Sequence, residues 1–277
     1  MLKDTLDRLY AEYNYPDSAT DPIQIVRRFM RNDDREVVGF LAASLAFGRV
    51  ASVLQSIERV LAVAGPSPAD YVRRFDPKRE AKALSPIVHR WIKGPDIVAL
   101  LWLMRQMIDR SGSIEGFFAD TGAADPGASL PSGTSVDVGP MIDSFSSRAM
   151  ALDVRSTGVS YFFPRPSAGS ACKRMNLFLR WMVRRDQLDF GIWNRVSSAK
   201  LVVPLDTHVI RVGRLLKLTR YVSPGWRMAA DITQSLRAFD PDDPVKYDFA
   251  LCHISMQCAD DRALRRRLPS PRPSARR

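Results

Sequence analysis

The chain has 277 residues, of which 45% are hydrophobic and 26% charged, a composition typical of a soluble globular protein with a full core. No apolar run approaches the roughly 18 residues that a membrane-spanning helix needs, which argues against an integral membrane protein. The charged first residues, MLKDTLDRLYAEY, predict an amphipathic helix rather than a signal peptide. Three cysteines are too few for a disulfide framework, so we expect a cytoplasmic protein.

The net charge of +11 at pH 7 favours a polyanionic partner, but much of this charge is local. Seven arginines and no acidic residue lie between residues 262 and 277, so the rest of the chain carries only +4. Nucleic-acid-binding proteins and metabolic enzymes can both carry such a charge. The charge alone therefore leaves the partner open.

The hydrophobic pattern is helical almost throughout the chain. After the N-terminal helix, Asp21 is a predicted N-cap with Pro22 at the first helical position, and an apolar helix face runs from Val37 to Leu45. The next helix ends at Gly65. The remaining predicted helices span residues 67–75, 78–90, 95–110, 138–153, 172–185, 206–217, 226–238 and 243–256. No alternating run is long enough for a strand, so the predicted fold class is all-α.

Residues 120–140, DTGAADPGASLPSGTSVDVGP, are rich in Gly, Ser, Pro and Ala and predict a flexible connection. This connection divides the chain into an N-terminal helical lobe, residues 1–119, and a C-terminal lobe, residues 141–258. Residues 259–277 lack periodicity and are rich in arginine, which predicts a disordered basic tail.

A lysine stands in the first turn of a predicted helix in the segment GSACKRMNLFLRWMVR, residues 169–184. A helix N-terminus is positive, so Lys173 is either a tolerated surface residue or an amine used in chemistry. The small residues just before it can bring backbone N–H groups close to a phosphate. Asp206 is the first residue of the predicted helix 206–217. Aspartate is a favoured N-cap, so a capping role alone is one explanation for Asp206.

The segment PLDTHVIRVGRLLKLT, residues 204–219, resembles the segment that carries the invariant aspartate of helix–hairpin–helix DNA glycosylases. Lys173 precedes Asp206 by 33 residues, a separation similar to that in the archaeal 8-oxoguanine DNA glycosylase branch. From residue 9 to residue 253, the GSACKR, PLDTH and DPVKYDFAL segments also resemble an uncharacterised bacterial family, known only as a domain of unknown function. The resemblance implies a two-lobed helix–hairpin–helix glycosylase-like fold, with residues 141–258 as the catalytic lobe and a cleft between the lobes.

The resemblance also implies chemistry for Lys173 and Asp206. Cleavage of an N-glycosidic bond builds positive charge on the sugar, which the Asp206 carboxylate would stabilise. A neutral Lys173 would attack C1′ and form a Schiff base, after which β-elimination nicks the strand. Its amine needs a lowered pKa for this, and a helix N-terminus and partial burial both act in that direction. The implied function is removal of a damaged base, such as an oxidised purine, from duplex DNA.

Two further groups of residues are candidates for contacts with the nucleic acid. Helix spacing places Lys173 and Asn176 on one face with two arginines, and the next helix starts with further polar residues. The predicted phosphate contacts are Gly169, Ser170, Ala171, Arg180, Arg184, Thr207, His208 and Arg211. The candidates for stacking on an extruded base or for a wedge are Phe47, Arg49, Trp91 and Trp181.

Cys252, His253 and Cys258 lack the paired spacing of a zinc site and the four-cysteine run of an iron–sulfur cluster, so we expect no metal and no cofactor. The alternative to an enzyme is a DNA- or RNA-binding protein that has the same scaffold and performs no chemistry. A Lys173 that points to solvent away from Asp206 would favour this alternative. We expect a monomer with no membrane partner.

Overall fold

The structure is a computed structural model that describes residues 2–16, 21–120 and 137–268. The helices are α1 (Leu2–Tyr13), α2 (Ile23–Arg27), α3 (Asn32–Ser44), α4 (Val50–Ala64), α5 (Pro68–Arg73), α6 (Pro77–Leu84), α7 (Gly94–Ser111), α8 (Ile114–Ala119), α9 (Gly139–Met150), α10 (Lys173–Val183), α11 (Thr207–Leu215), α12 (Trp226–Arg237), α13 (Asp248–Gln257) and α14 (Asp261–Arg267). Short 3-10 helices span Thr157–Phe162, Pro166–Ala168, Ser198–Lys200 and Pro244–Tyr247. The strands are β1 (Val88–His89) and β2 (Ile92–Lys93), which pair antiparallel. The fold is all-α, as predicted.

No described helix combines the length and the hydropathy that crossing a membrane requires. The chain forms two compact units. The Lys173 unit consists of Met1–Ser18, Gly169–Gly191 and Ser197–Arg277, and the Trp91 unit of Ala19–Ala168 and Ile192–Val196. These units are assembled from different segments than the predicted lobes, because α1 belongs with the C-terminal helices. Most of the predicted connection, residues 121–136, lies outside the described residues.

The core of the Trp91 unit is built around α7, whose inward residues are fully buried. Contacts from α5, α6 and α8 surround this helix, and Phe40 and Phe145 pack edge to face nearby. Glu36 is a buried carboxylate of α3 that accepts hydrogen bonds from the backbone N–H of Ile114 at 3.0 Å and the indole N–H of Trp193 at 2.8 Å. Burial raises the pKa of Glu36, and these donors oppose that effect.

The core of the Lys173 unit is built around α10, which is buried from Met175 to Val183. The apolar side chains of this helix are buried on all of its sides, and α11 packs against α13 in the same unit. Helix α1 packs against α13, and the hydroxyl of Tyr13 donates to Gln257 at 2.7 Å. Residues from both ends of the sequence therefore complete one core.

Three local predictions differ from the structure. The predicted helix 78–90 ends at Leu84, because Pro86 lacks an N–H and cannot continue it, and the β1–β2 hairpin follows. The predicted helix 243–256 starts as the 3-10 helix Pro244–Tyr247, with α13 following, and Asp243 binds Arg184 at 2.8 Å. The predicted tail forms α14, capped by the carboxylate of Asp260, so disorder was wrong for these residues. Residues 269–277 lie outside the described residues.

Candidate functional site

Lys173 is the first residue of α10, and its side chain is exposed. The turn before it is tightly constrained, since Gly169 has a φ of 82° and Cys172 adopts a left-handed backbone with a φ of 48°. The hydroxyl of Ser170 accepts a hydrogen bond from the backbone N–H of Cys172 at 3.1 Å. The amide of Asn176 donates to the carbonyl of Ala171 at 3.1 Å. The turn therefore holds the start of α10 in a fixed position.

The N-terminus of α12 packs against the same turn. The backbone N–H of Trp226 donates to the carbonyl of Gly169 at 3.3 Å, and a Cβ on Gly225 would lie only 2.9 Å from that oxygen. The Gly169 carbonyl is therefore covered by backbone. The predicted phosphate contact of this turn stays a prediction for Gly169, Ser170 and Ala171.

Asp206 caps α11, as the capping explanation requires. Its Oδ1 accepts a hydrogen bond from the backbone N–H of Val209 at 2.8 Å. Its Oδ2 accepts one from the thiol of Cys252 on α13 at 3.4 Å. Burial, Asp206 and Asp248 raise the pKa of Cys252, whereas the charge of Lys173 lowers it, and the net direction is upward. The thiol is therefore protonated and able to donate.

Asp248 is a second carboxylate beside Asp206, and no sequence pattern indicated it. Its Oδ2 accepts a hydrogen bond from Arg180 at 2.7 Å, while its buried Oδ1 has no hydrogen-bond partner among the described residues. Burial raises the pKa of Asp248 to about 6, and the charge of Asp206 adds to this, whereas Arg180 opposes it. We call Lys173, Asp206, Asp248 and Cys252 the Lys173 cluster.

Arg180 and Arg184 are not phosphate contacts, which corrects the sequence prediction. Each is only 3% exposed. Arg180 pairs with Asp189 and Asp248, at 3.2 and 2.7 Å. Arg184 pairs with three aspartates, Asp186, Asp189 and Asp243. A buried guanidinium needs such partners, so these arginines are committed to the core of the Lys173 unit.

Two other residues on α10 are also buried. Trp181 is 0% exposed, so it cannot act as a wedge or a stacking surface, contrary to the prediction. Asn176 is 1% exposed and binds the turn before the helix. The face that carries Lys173 at its start is therefore a packed face over most of its length. Periodicity showed which residues share that face but not that aspartates cover it.

Thr207 and Arg211 line an open pocket of about 490 Å³ with Arg214, Asp261 and Arg265. Arg211 is partly committed, since it binds Asp261 at 2.8 Å and the carbonyl of Cys258 at 3.0 Å. Arg265 on α14 forms no ion pair among the described residues. The sequence missed Arg265 because the tail was expected to be disordered, although the N-cap at Asp260 was a signal for a helix.

His208 is half-buried beside this pocket, and its Nδ1 lies 3.2 Å from the hydroxyl of Ser255. Its predicted phosphate contact stays a prediction. Thr207 is exposed, and Arg211 is half-buried. We call the pocket lined by Thr207, Arg211, Arg214, Asp261 and Arg265 the basic pocket. Most of its lining comes from α11, the helix that Asp206 caps.

Phe47 and Trp91 come together in the Trp91 unit, as two of the four stacking candidates. Their rings stack at 4.8 Å with an interplanar angle of 30°. Tyr161, which the sequence did not indicate, lies edge-on to both rings, at 5.2 Å from Phe47 and 5.3 Å from Trp91. Arg49 is exposed two residues after Phe47. We call Phe47, Trp91 and Tyr161 the aromatic platform.

Among residues 2–16, 21–120 and 137–268, no group of three or more His, Cys, Asp or Glu side chains could hold a metal ion. No curated protein and no solved structure matches the chain. A family model described as "Protein of unknown function (DUF2400)" matches residues 21–257, most of the chain. The resemblance to a family without an assigned function is therefore confirmed, whereas these comparisons show no glycosylase. The chain belongs to this family of unknown function.

Proposed function

We propose that the protein removes a damaged base from DNA and cleaves the strand by Schiff-base chemistry on a helix–hairpin–helix glycosylase-like scaffold. The observation that carries the proposal is the Lys173 cluster, in which an exposed amine and two carboxylates lie at the starts of three helices. The electrostatic influence of both Lys173 and Asp206 on the Cys252 thiol supports their proximity. The Schiff-base route uses these two groups, an amine as the nucleophile and a fixed anion that stabilises the positive charge on the sugar.

The proposed reaction begins when the lone pair of Lys173 Nζ attacks C1′ of the damaged nucleoside. The C1′–N bond breaks, and its electron pair leaves with the base, which takes up the proton that Nζ releases once it is bonded to C1′. The negative charge of Asp206 stabilises the positive charge that builds on the sugar. Ring opening breaks the C1′–O4′ bond, O4′ takes a proton from water, and a protonated Schiff base forms between Nζ and C1′. The C2′ proton then passes to water, and the C3′–O bond breaks with the phosphate as the leaving group.

The backbone before Lys173 supports an active role for this position. Cys172 is buried and adopts a left-handed conformation, which costs a non-glycine residue of the order of 1 kcal/mol. Such strained residues cluster at functional sites. The carboxylate of Asp206 is fixed by donors on both oxygens, so its charge needs no reorganisation during the reaction.

The basic pocket supports a nucleic acid as the substrate. Arg214 and Arg265 are exposed and line the pocket with Thr207. Arginines in an open pocket bind phosphate oxygens, which positions the strand without reading its sequence. In this proposal α11 supplies Arg214 as a phosphate contact, and the N-cap of the same helix supplies the catalytic carboxylate.

The second candidate function is DNA or RNA binding without chemistry. Two observations favour it: the Lys173 side chain is exposed, and both oxygens of Asp206 already have donors that give this residue a structural role. This candidate keeps the basic pocket and predicts no covalent intermediate.

Borohydride trapping on duplex DNA distinguishes the two functions. The duplexes contain either 8-oxoguanine or an abasic site, and the proteins are the wild type, Lys173→Ala and Asp206→Asn. Lys200→Ala is the matched control, because Lys200 is an exposed lysine of the same unit. We expect a covalent adduct with the wild type and with Lys200→Ala, and none with Lys173→Ala.

The 8-oxoguanine duplex and the abasic duplex together distinguish cleavage of the glycosidic bond from cleavage of the strand. Asp206→Asn should lose more activity on the 8-oxoguanine duplex than on the abasic duplex, because only the former needs cleavage of the glycosidic bond. An adduct that persists in Lys173→Ala, or no adduct with any protein while duplex still binds, would refute the assignment of Lys173.

A further inference from the structure

The aromatic platform is an exposed surface in the Trp91 unit, remote in sequence from Lys173. Trp91 lies in the turn of the β1–β2 hairpin and is 54% exposed, which is unusual for the largest apolar side chain. Phe47 stacks on its ring, and Tyr161 meets both rings edge-on. Three segments far apart in the sequence thus converge to hold one tryptophan at the surface.

Buried contacts hold together the two segments that carry Phe47 and Trp91. His89 is 2% exposed, and its Nε2 donates to the carbonyl of Phe47 at 2.9 Å while its Nδ1 lies 3.0 Å from the hydroxyl of Ser56. Gly48 has a φ of 102°, and a Cβ there would lie 2.9 Å from the guanidinium of Arg90. These contacts fix the loop after α3 against the hairpin. A rigid aromatic surface loses little entropy when it binds a flat ligand.

The three segments that carry the rings contain positive charges and no negative ones. Residues 44–52, 85–93 and 157–165, which contribute the three rings, contain no acidic residue. Their basic residues are Arg49, Arg90, Lys93 and Arg165. In the described part of the chain, neither Arg49 nor Arg90 forms an ion pair. An aromatic surface with a positive border complements a strand that carries flat bases on a phosphate backbone.

Trp102 is a second tryptophan with arginines against its ring, and its surroundings can be compared with those of Trp91. Trp102 on α7 also has two arginines over its ring, Arg105 at 5.5 Å and Arg155 at 5.0 Å. Acidic residues hold both of these arginines, and the indole N–H donates to Asp153 at 3.1 Å. Among the described residues, no acidic side chain binds the Trp91 indole or Arg90. The exposed part of the Trp91 ring can therefore accept a ligand.

We propose that the aromatic platform binds an unpaired nucleobase of a single-stranded nucleic acid, with the neighbouring phosphates on Arg49 and Arg90. The guanidinium of Arg90 lies 5.4 Å from the centroid of the Trp91 ring. The base takes its place over the indole, and the guanidinium moves to a phosphate. This inference rests on the proposed function only for the class of ligand, a nucleic acid. The binding site in the Trp91 unit would accept an undamaged base and does not depend on the reaction at Lys173.

The test measures binding of a short oligothymidylate and of an abasic strand of the same length and charge. Loss of stacking weakens binding by about tenfold per base in comparable sites, so the wild type should prefer the thymidylate by about that factor. Trp91→Leu should remove the preference, and Trp91→Phe should retain part of it. Trp102→Leu is the matched control and should bind both strands like the wild type.

Three results would overturn the proposal. The first is equal binding of the two strands by the wild type, and the second is an unchanged preference in Trp91→Leu. The third is a change in the oligomeric state of Trp91→Leu with the preference intact, which would assign the platform to contact with a second copy. Lys173→Ala should keep the preference, so failure of the borohydride experiment and failure of this one are distinguishable.

Discussion

The two carboxylate oxygens of Asp206 have different partners. One caps α11 and the other accepts a hydrogen bond from Cys252. From the sequence, capping and catalysis were both consistent with an aspartate at this position, and the structure confirms only capping. The sequence could not indicate Asp248, because 42 residues separate it from Asp206 and only the packing of α11 on α13 brings them together. The contact between Cys252 and Asp206 depends on the same packing of the two helices.

The raised pKa of Asp248 makes stability depend on pH. The folded state holds the proton of Asp248 more tightly, because burial raises its pKa from an ordinary 3.8 to about 6. This residue therefore lowers the stability at pH 7, and the loss becomes smaller as the pH falls through 6. Relative to Asp248→Asn, the free energy of unfolding of the wild type should rise by about 1 kcal/mol between pH 7 and pH 5. Urea unfolding at both pH values measures this difference.

Asp261→Asn is the control for this experiment, because its carboxylate is 63% exposed. This substitution removes a surface carboxylate and so measures the effect of losing one negative charge outside the core. A wild-type stability that falls relative to Asp248→Asn as pH drops from 7 to 5 would contradict a raised pKa.

At the scale of single elements, α10 shows what helical periodicity can and cannot predict. The spacing placed Arg180 and Arg184 on one face of this helix with Lys173 and Asn176. It could not tell a solvated face from a buried one, because arginines can occupy either if carboxylates are near. The sequence RRDQLD after the helix supplied two of those carboxylates, but only the tertiary structure aims them back at α10.

Removing a carboxylate from this buried network should be strongly destabilising. Asp189 is fully buried at its side chain and binds both Arg180 and Arg184. Asp189→Ala leaves two buried guanidinium groups with fewer partners, so the free energy of unfolding should fall by about 3–5 kcal/mol. Asp33→Ala removes the ion pair with Arg73, in which Asp33 is 52% exposed, and should cost less than about 1 kcal/mol.

Chemical denaturation of both variants and of the wild type measures these costs. Equal losses for Asp189→Ala and Asp33→Ala would mean that the α10 network contributes no more than a surface ion pair. A loss confined to Asp189→Ala would also explain why neither arginine is available to a phosphate.

At the scale of the whole molecule, the fold class was predictable and the assembly was not. Helix periods, proline positions and N-caps are local signals, so the all-α class and most helix positions followed from them. The division into units depends on contacts such as Tyr247 with Asp7, which are 240 residues apart. Nothing in the composition of residues 1–119 shows that α1 packs with the last helices.

The packing of α1 predicts where a defect in the first helix is felt. Leu6 is 0% exposed, and Leu6→Ala should lower the stability of the Lys173 unit by about 2–5 kcal/mol through the cavity that it leaves. Hydrogen exchange measured by mass spectrometry should therefore increase in α13, although more than 240 residues separate it from Leu6. Arg8→Ala changes an exposed residue of the same helix and should leave exchange in α13 unchanged.

The same measurement tests the predicted lobe boundary against the observed units. If α1 belonged to a lobe of residues 1–119, Leu6→Ala would increase exchange in α3 to α7 and leave α13 protected. Because α1 contacts α13, we expect the reverse. Exchange at the start of α10 should rise together with that of α13, since both belong to the Lys173 unit and share the ion pair between Arg180 and Asp248. Leu6 would then affect the Lys173 cluster from the other end of the chain.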